Sequence, residues 1–186
     1  MNIFLHVCCG PCSAFPLKSL RQHGHSVFGL FYNPNIHPFK EFRKRLVALE
    51  ELSAKMTFPV EYDRQYGLKE YLRKVVFHEA ERCRICYSMR LEVTAQKAIE
   101  AGADAFSTTL LYSRYQKHEL IKELCTDISE KHGIAFYYED FRIGWQDGID
   151  MSIDMELYRQ PYCGCIYREQ ERYDKSLRKK GLGVNG

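Results

Sequence analysis

Short apolar runs alternate with amphipathic stretches along most of the chain, and that alternation permits few architectures. Ile3 to Val7 reads as a buried strand, and Pro11 opens a helix through Arg21 that stops at Gly24. Ser26 to Tyr32 is a second strand, ended by the loop Asn33-Pro34-Asn35-Ile36-His37-Pro38. Phe42, Leu46, Leu49 and Met56 recur at helical spacing on one face, and Phe58 to Tyr62 is a third strand. Tyr66 to about Phe77 is expected to be helical, as is Tyr87 to Ala101, which Gly102 closes in the position of a C-cap. Ala105 to Leu111 reads as a fourth strand, Leu120, Leu124 and Ile128 mark a helix stopped by Gly133, and Ile134 to Tyr138 is a fifth strand. Strands separated by helices imply right-handed crossovers and a parallel sheet covered on both faces. The expectation is a three-layer α/β fold. No repeat, linker or composition break divides the 186 residues, so residues 1 to 186 read as one domain. Ligands of such sheets bind outside the carboxyl ends of the strands. Cys8 to Cys12, Tyr32 to Pro34, Asp63, Leu111 to Ser113 and Asp140 should meet there.

A chain this long buries roughly 70% of its unfolded surface and needs no disulfides to fold. No apolar run approaches the roughly 18 residues of a membrane span, and Met1 to His6 lacks the regions of a signal peptide. The expected location is therefore the cytoplasm, whose reducing conditions keep thiols free, and there eight cysteines point to metal binding or redox chemistry. A net charge of +3 does not by itself show nucleic-acid binding. Lys40, Arg43, Lys44 and Arg45 cluster, Arg82, Arg84 and Arg90 surround a Cys pair, and Arg168 to Lys180 form a basic tail. The plainer reading of each cluster is a solvated helix face.

Cys8, Cys9 and Cys12 fall where a strand ends and a helix begins, and the unpaired N–H groups of a helix start favour thiolate. Cys83-Arg84-Ile85-Cys86 has the spacing that lets two sulfurs reach one metal or cluster, and Cys163-Gly164-Cys165 places a turn-forming glycine between two thiols. Cys125, on the apolar face of a helix, reads as core. A structural zinc site needs only four ligands, whereas seven sulfurs in three groups suit an iron–sulfur cluster with further thiols beside it. Zinc remains open on spacing alone. Cys9-Gly10-Pro11-Cys12 also spells a thioredoxin-type motif, but it follows the first strand and would leave the remaining groups without a role.

Taken together, these segments resemble the cobalamin-independent epoxyqueuosine reductase family (QueH). The likeness runs from Leu5-His6-Val7-Cys8-Cys9-Gly10-Pro11-Cys12 through Tyr32-Asn33-Pro34-Asn35-Ile36 and Cys83-Arg84-Ile85-Cys86-Tyr87-Ser88-Met89-Arg90-Leu91. It continues in Ser107-Thr108-Thr109-Leu110-Leu111 and Asp140-Phe141-Arg142, and ends in Tyr158-Arg159-Gln160-Pro161-Tyr162-Cys163-Gly164-Cys165. The resemblance implies two-electron deoxygenation of the epoxide of epoxyqueuosine at the tRNA wobble position. It also implies a [4Fe-4S] cluster, with or without an additional iron ion, and an electron donor that is ferredoxin-like or a chemical reductant. Cys8, Cys9, Cys83 and Cys86 look like the cluster ligands, and Cys163 and Cys165 like a redox-active pair or ligands of a second metal. Cys12 matches the first motif, with its place at the cluster or at the additional iron left open, and the segment from 140 to 186 completes the metal site.

The fold looks Rossmann-like, of the HUP or ATP-pyrophosphatase-like kind, but the loop from Cys8 to Ser13 has one glycine and no Ser-Gly-Gly run to cradle phosphate. Arg114 stands where many relatives would have a proline after Ser113. Asp140, Tyr32 and His37 are the candidate proton donors. Their plainer readings are a pair with Arg142, a core residue and a surface loop residue. Arg84, Arg90, Tyr112, Arg114 and Arg159, with Arg82, Lys117, Tyr87, Tyr115, Tyr158 and Tyr162 around them, would supply charge and stacking surface for tRNA. The competing functions are a zinc-stabilised RNA-binding domain without catalysis and a thioredoxin-like dithiol oxidoreductase.

Overall fold

The computed structural model describes residues 1–176, so the end of the basic run, 177 to 180, lies outside the described residues. Five parallel strands, β1 (Asn2–His6), β2 (Ser26–Phe31), β3 (Val60–Tyr62), β4 (Ala105–Thr108) and β5 (Ala135–Phe136), form one sheet in the order β3-β2-β1-β4-β5. The α-helices of the described residues are α1 (Gly10–Gln22), α2 (Phe39–Lys55), α3 (Leu68–Val75), α4 (Arg82–Glu100), α5 (His118–His132), α6 (Trp145–Asp154) and α7 (Ile166–Tyr173). Helix α1 packs on α2 and α6, while α4 packs on α5 and α3, giving the expected three layers. Among the described residues no helix is long and apolar enough to cross a membrane.

Strand β1 is central, so all of it beyond Asn2 is buried, and Phe4 stacks on Phe28 of β2 at 5.4 Å between centroids. Helix α5 ends at Gly133, whose φ of 68° is left-handed and is met there without the Cβ penalty that other residues would carry. Strands β4 and β5 are each three residues shorter than the apolar pattern suggests. Thr108 accepts from the amide of Leu110 and turns Thr109–Tyr112 into a 3₁₀ helix, so β4 stops at Thr108, three residues before the expected end at Leu111. Strand β5 lies at the sheet edge and pairs only through Ala135 and Phe136.

The strand order reverses between β1 and β4, which makes the loops after these two strands the switch point of the sheet. Cys8 to Cys12 follow β1, and Thr109 follows β4. Gly10 opens α1 where the helix crosses α2. A Cβ there would lie 2.3 Å from the Ala48 carbonyl oxygen, which belongs to rigid helical backbone. Gly10→Ala should therefore overpack this crossing and lower stability by about 1–3 kcal/mol, read as a lower urea midpoint. An unchanged midpoint would mean that the crossing is looser than described.

Candidate metal centre

Among the described residues one set of ligand-type side chains is close enough to share an ion: the sulfurs of Cys8, Cys9 and Cys12 lie within 4.8 Å of one another, all buried. Local sequence explains the convergence. Cys9 is the N-cap of α1 in an extended conformation, Pro11 sits in the first turn, and the three sulfurs therefore gather at the unpaired N–H end of the helix. The Cys8 amide donates to Thr109 Oγ1 at 3.2 Å, and the Thr109 hydroxyl reaches Cys8 Sγ at 3.6 Å, which ties the loops after β1 and β4 together. Cys8 and Cys9 sulfurs are 3.7 Å apart. Hydrogen bonds from the Cys12 and Cys9 thiols hold Cys8 well below the ordinary thiol range. Burial holds Cys9 well above it, and donation to Cys8 does the same for Cys12.

The second sulfur group comes from α4 and from the irregular segment before α7. Cys83 and Cys86 lie in the first turn and a half of α4, which begins at Arg82 and not at Tyr87 as the sequence suggests. Cys86 packs with Cys163, Cys165, Tyr71 and Met89 in a small apolar cluster. Burial pushes the Cys86 thiol up to about 12. The Tyr71 hydroxyl and Cys165 Sγ are 3.0 Å apart, and Gln160 Nε2 donates to Cys12 Sγ at 2.9 Å.

The Cys163-Gly164-Cys165 turn is held in place by α2 and the loop before it. Arg45 donates to the backbone carbonyls of Cys163 at 3.0 Å and Tyr162 at 2.8 Å while its Nε meets Glu41 at 2.7 Å. Glu41 in turn accepts from the Tyr158 hydroxyl at 2.5 Å. The His37 amide donates to the Gly164 carbonyl at 2.8 Å, and the Tyr162 hydroxyl donates to the His37 carbonyl. Gly164 adopts φ 110°, and a Cβ there would lie 3.1 Å from Arg45 Nη1, so this turn requires glycine. Arg45 thus leaves the basic cluster in which it was grouped with Lys40, Arg43 and Lys44: those three are exposed, and Arg45 is buried at 1% exposure.

The other expected site residues separate into two groups. Arg90 is buried at 2% exposure, and its Nη2 donates to Cys86 Sγ at 3.1 Å, so its charge faces the sulfurs and not a macromolecule at the surface. Arg84 is half exposed and paired with Glu123 at 2.7 Å, and Arg82 pairs with Glu171 of α7. Tyr112 is buried beneath Trp145, with 5.2 Å between ring centroids, while Arg114 lies over the same indole at 5.6 Å and Arg159 is exposed. Tyr115 is 69% exposed beside them. Asp140 takes its plainer reading: Arg142 Nε and Nη2 each bind its carboxylate at 2.7 Å, and these bonds hold it below the usual carboxylate range. It is therefore an ion-pair partner, already ionised near neutrality, and a poor proton donor. His37 is fully buried, not a surface loop residue, and burial lowers its pKa to about 4, leaving it neutral. Cys125 is buried on the apolar face of α5, as expected.

Sequence reasoning overlooked Arg45 and Glu41 as a pair, Tyr71, Thr109, Gln160 and His6. The i,i+4 spacing of Glu41 and Arg45 on one helix was the available signal. His6 donates or accepts through Nδ1 with Thr108 Oγ1 at 3.0 Å, and burial, with Arg90 nearby, lowers its pKa to about 3. Buried polar atoms without a partner among the described residues include His6 Nε2, Asn33 Oδ1, Asn35 Oδ1 and Gln160 Oε1. Soft sulfur donors, buried and backed by unpaired polar atoms, make a site fit for a metal or metal cluster.

The chain matches the family model described as epoxyqueuosine reductase QueH over residues 3–171. It is 39% identical over 174 residues to the epoxyqueuosine reductase QueH of Dehalococcoides mccartyi, covering 94% of this chain and 96% of that one. To the epoxyqueuosine reductase QueH of Thermotoga maritima it is 34% identical over 193 residues, covering 97% and 98%. Among solved structures it is similar to a predicted subunit of tRNA methyltransferase from Methanocaldococcus jannaschii, with a TM-score of 0.58 at 12% identity over 97% of this chain and 88% of that one. This last likeness bears on the fold alone, which is Rossmann-like α/β.

Proposed function

The chain belongs to the epoxyqueuosine reductase QueH family, a family of oxidoreductases, and on that premise we propose that it deoxygenates the epoxide of epoxyqueuosine in tRNA to give queuosine. The observation that carries this reading is the buried Cys8, Cys9 and Cys12 group at the switch point of the sheet, in a chain matched to the family over residues 3–171. The reaction consumes two electrons and two protons, turns the epoxide into an alkene and releases its oxygen as water. A [4Fe-4S] cluster, with an additional iron beside it in one form of the reading, would supply one-electron relay and a Lewis acid when bound.

Residues of this chain would hold that group and keep its surroundings dry. Cys8, Cys9, Cys83 and Cys86 are the proposed cluster ligands. Cys12, which receives a hydrogen bond from Gln160, is the proposed neighbour for a further metal. Cys163 and Cys165, fixed by Arg45 and touched by Tyr71, are the proposed redox pair, and the Tyr71 hydroxyl is the group beside Cys165 placed to give or take its proton. The electrons come from an external donor, ferredoxin-like in the cell and dithionite in vitro. Arg114, Arg159, Trp145 and the exposed Tyr115 are the proposed surface for the tRNA, with a base lifted out of its loop onto an aromatic ring.

The test is incubation of the anaerobically iron-loaded protein with dithionite and tRNA carrying epoxyqueuosine, followed by mass spectrometry of the nucleosides. The expected result is loss of one oxygen atom from the modified base. An unchanged nucleoside alongside a zinc-loaded protein would favour the non-catalytic RNA-binding reading.

A further inference from the structure

Arg90 lies on α4 one turn beyond Cys86 and is almost wholly removed from solvent. A guanidinium stays charged in a protein, and burying such a charge is unfavourable unless an anion stands beside it. Arg45, also buried, has that anion in Glu41 at 2.7 Å. Arg90 forms no ion pair with a carboxylate among the described residues. Its Nε donates to the Cys86 carbonyl at 3.0 Å, its Nη2 to Cys86 Sγ at 3.1 Å, and its guanidinium lies 5.6 Å over the Tyr87 ring. Among the described residues the buried cation therefore meets a ligand-type sulfur and no carboxylate.

We propose that Arg90 is the built-in countercharge of the sulfur site, a positioning residue whose cation offsets the negative charge of a thiolate-held metal group and whose N–H draws electron density from a ligand sulfur. The inference rests on the metal-holding reading above. Both effects favour the reduced, more negative form of whatever the thiolates hold, because hydrogen bonds to sulfur and net charge set the potential of such groups. The same charge should be a burden when the thiolates hold nothing.

Two variants separate this role from ordinary packing: Arg90→Gln, which removes the charge, and Arg90→Lys, which keeps it. In a redox titration of the iron-loaded protein followed by electron paramagnetic resonance, Arg90→Gln should make reduction at least tenfold less favourable. For a one-electron couple that is a midpoint more negative by about 59 mV. Arg90→Lys should restore most of the shift. In thermal melts, Arg90→Gln should leave the metal-free chain as stable as wild type or more so, while shrinking the stability gained on iron loading. Equal destabilisation of the metal-free and loaded forms with an unchanged midpoint would overturn the proposal, since it is what a purely structural arginine predicts. A wild-type chain that takes up no iron would defeat the metal-holding reading instead. The metal-free melt would then decide alone, with loss of stability in Arg90→Gln counting against the countercharge.

Discussion

Cys9→Ser is expected to give a folded protein that neither retains iron nor reduces its substrate. Cys9 caps α1 in extended conformation, its carbonyl accepts from the Ser13 hydroxyl at 2.8 Å, and neither feature depends on the sulfur. Serine adds a buried hydroxyl in place of a thiol, which costs about 1–3 kcal/mol and leaves most of the stability of a domain this size. The chemical cost is far larger. Losing a group that only orients a metal ligand weakens metal binding or activity by about 10–100-fold, so losing a proposed ligand should exceed about 100-fold. Turnover on tRNA and iron content measured on the same preparation check this. Cys125→Ser is the matched control: it perturbs a buried thiol on α5, outside the proposed site, and iron content should stay at the wild-type level. Equal iron loss in the two variants would mean that iron uptake reports folding and not ligation.

The second large effect is expected at Arg45. Arg45→Met leaves Glu41 buried beside an apolar chain and strips hydrogen bonds from the carbonyls of Tyr162 and Cys163. Removing one partner of a buried ion pair costs about 3–5 kcal/mol, a large share of the roughly 5–15 kcal/mol available to a domain. Part of that loss is the stranded carboxylate, so the double variant Glu41→Gln with Arg45→Met should recover some of it. The remainder is release of the 158–165 segment. Cys163 should then alkylate faster with iodoacetamide in Arg45→Met than in wild type, and Arg45→Lys should fall between them. Denaturant melts give the first quantity and timed alkylation the second. Unchanged alkylation would show that the segment is held by its other contacts, among them the His37 amide on the Gly164 carbonyl.

The sheet and the first cysteine group were legible because they depend on local pattern. Ile3 to Val7, Gly24, Gly102 and Gly133 mark element ends through apolar runs and left-handed glycines, and a strand followed by Pro11 places Cys8 to Cys12 at a helix start whatever surrounds it. Helix α6 was not legible: Gly148 interrupts Trp145-Gln146-Asp147-Gly148-Ile149-Asp150, and its reason is spatial, since a Cβ there would meet the Tyr112 hydroxyl at 2.2 Å. Helix α7 was missed because it buries no residue fully and so shows no apolar face. Arg45 and Arg90 read as surface charge because sequence registers their type and not the direction in which they point. Each has a partner four residues earlier on its own helix, Glu41 and Cys86, and that spacing was the sign that both turn inward. Tyr71 touches Cys165 across 94 positions of sequence, and no local pattern predicts such a contact.

Under the proposed function, Cys8 and Cys9 of one segment and Cys83 and Cys86 of another hold one iron-based group. Iron analysis of anaerobically reconstituted wild type beside a variant with Cys8, Cys9, Cys83 and Cys86 all changed to serine tests it most directly. About four or more irons per wild-type chain are expected, the content of one cubane cluster with its ligands, and almost none in a folded variant. A wild-type chain that stays iron-free, or a variant that takes up as much iron as wild type, would contradict it.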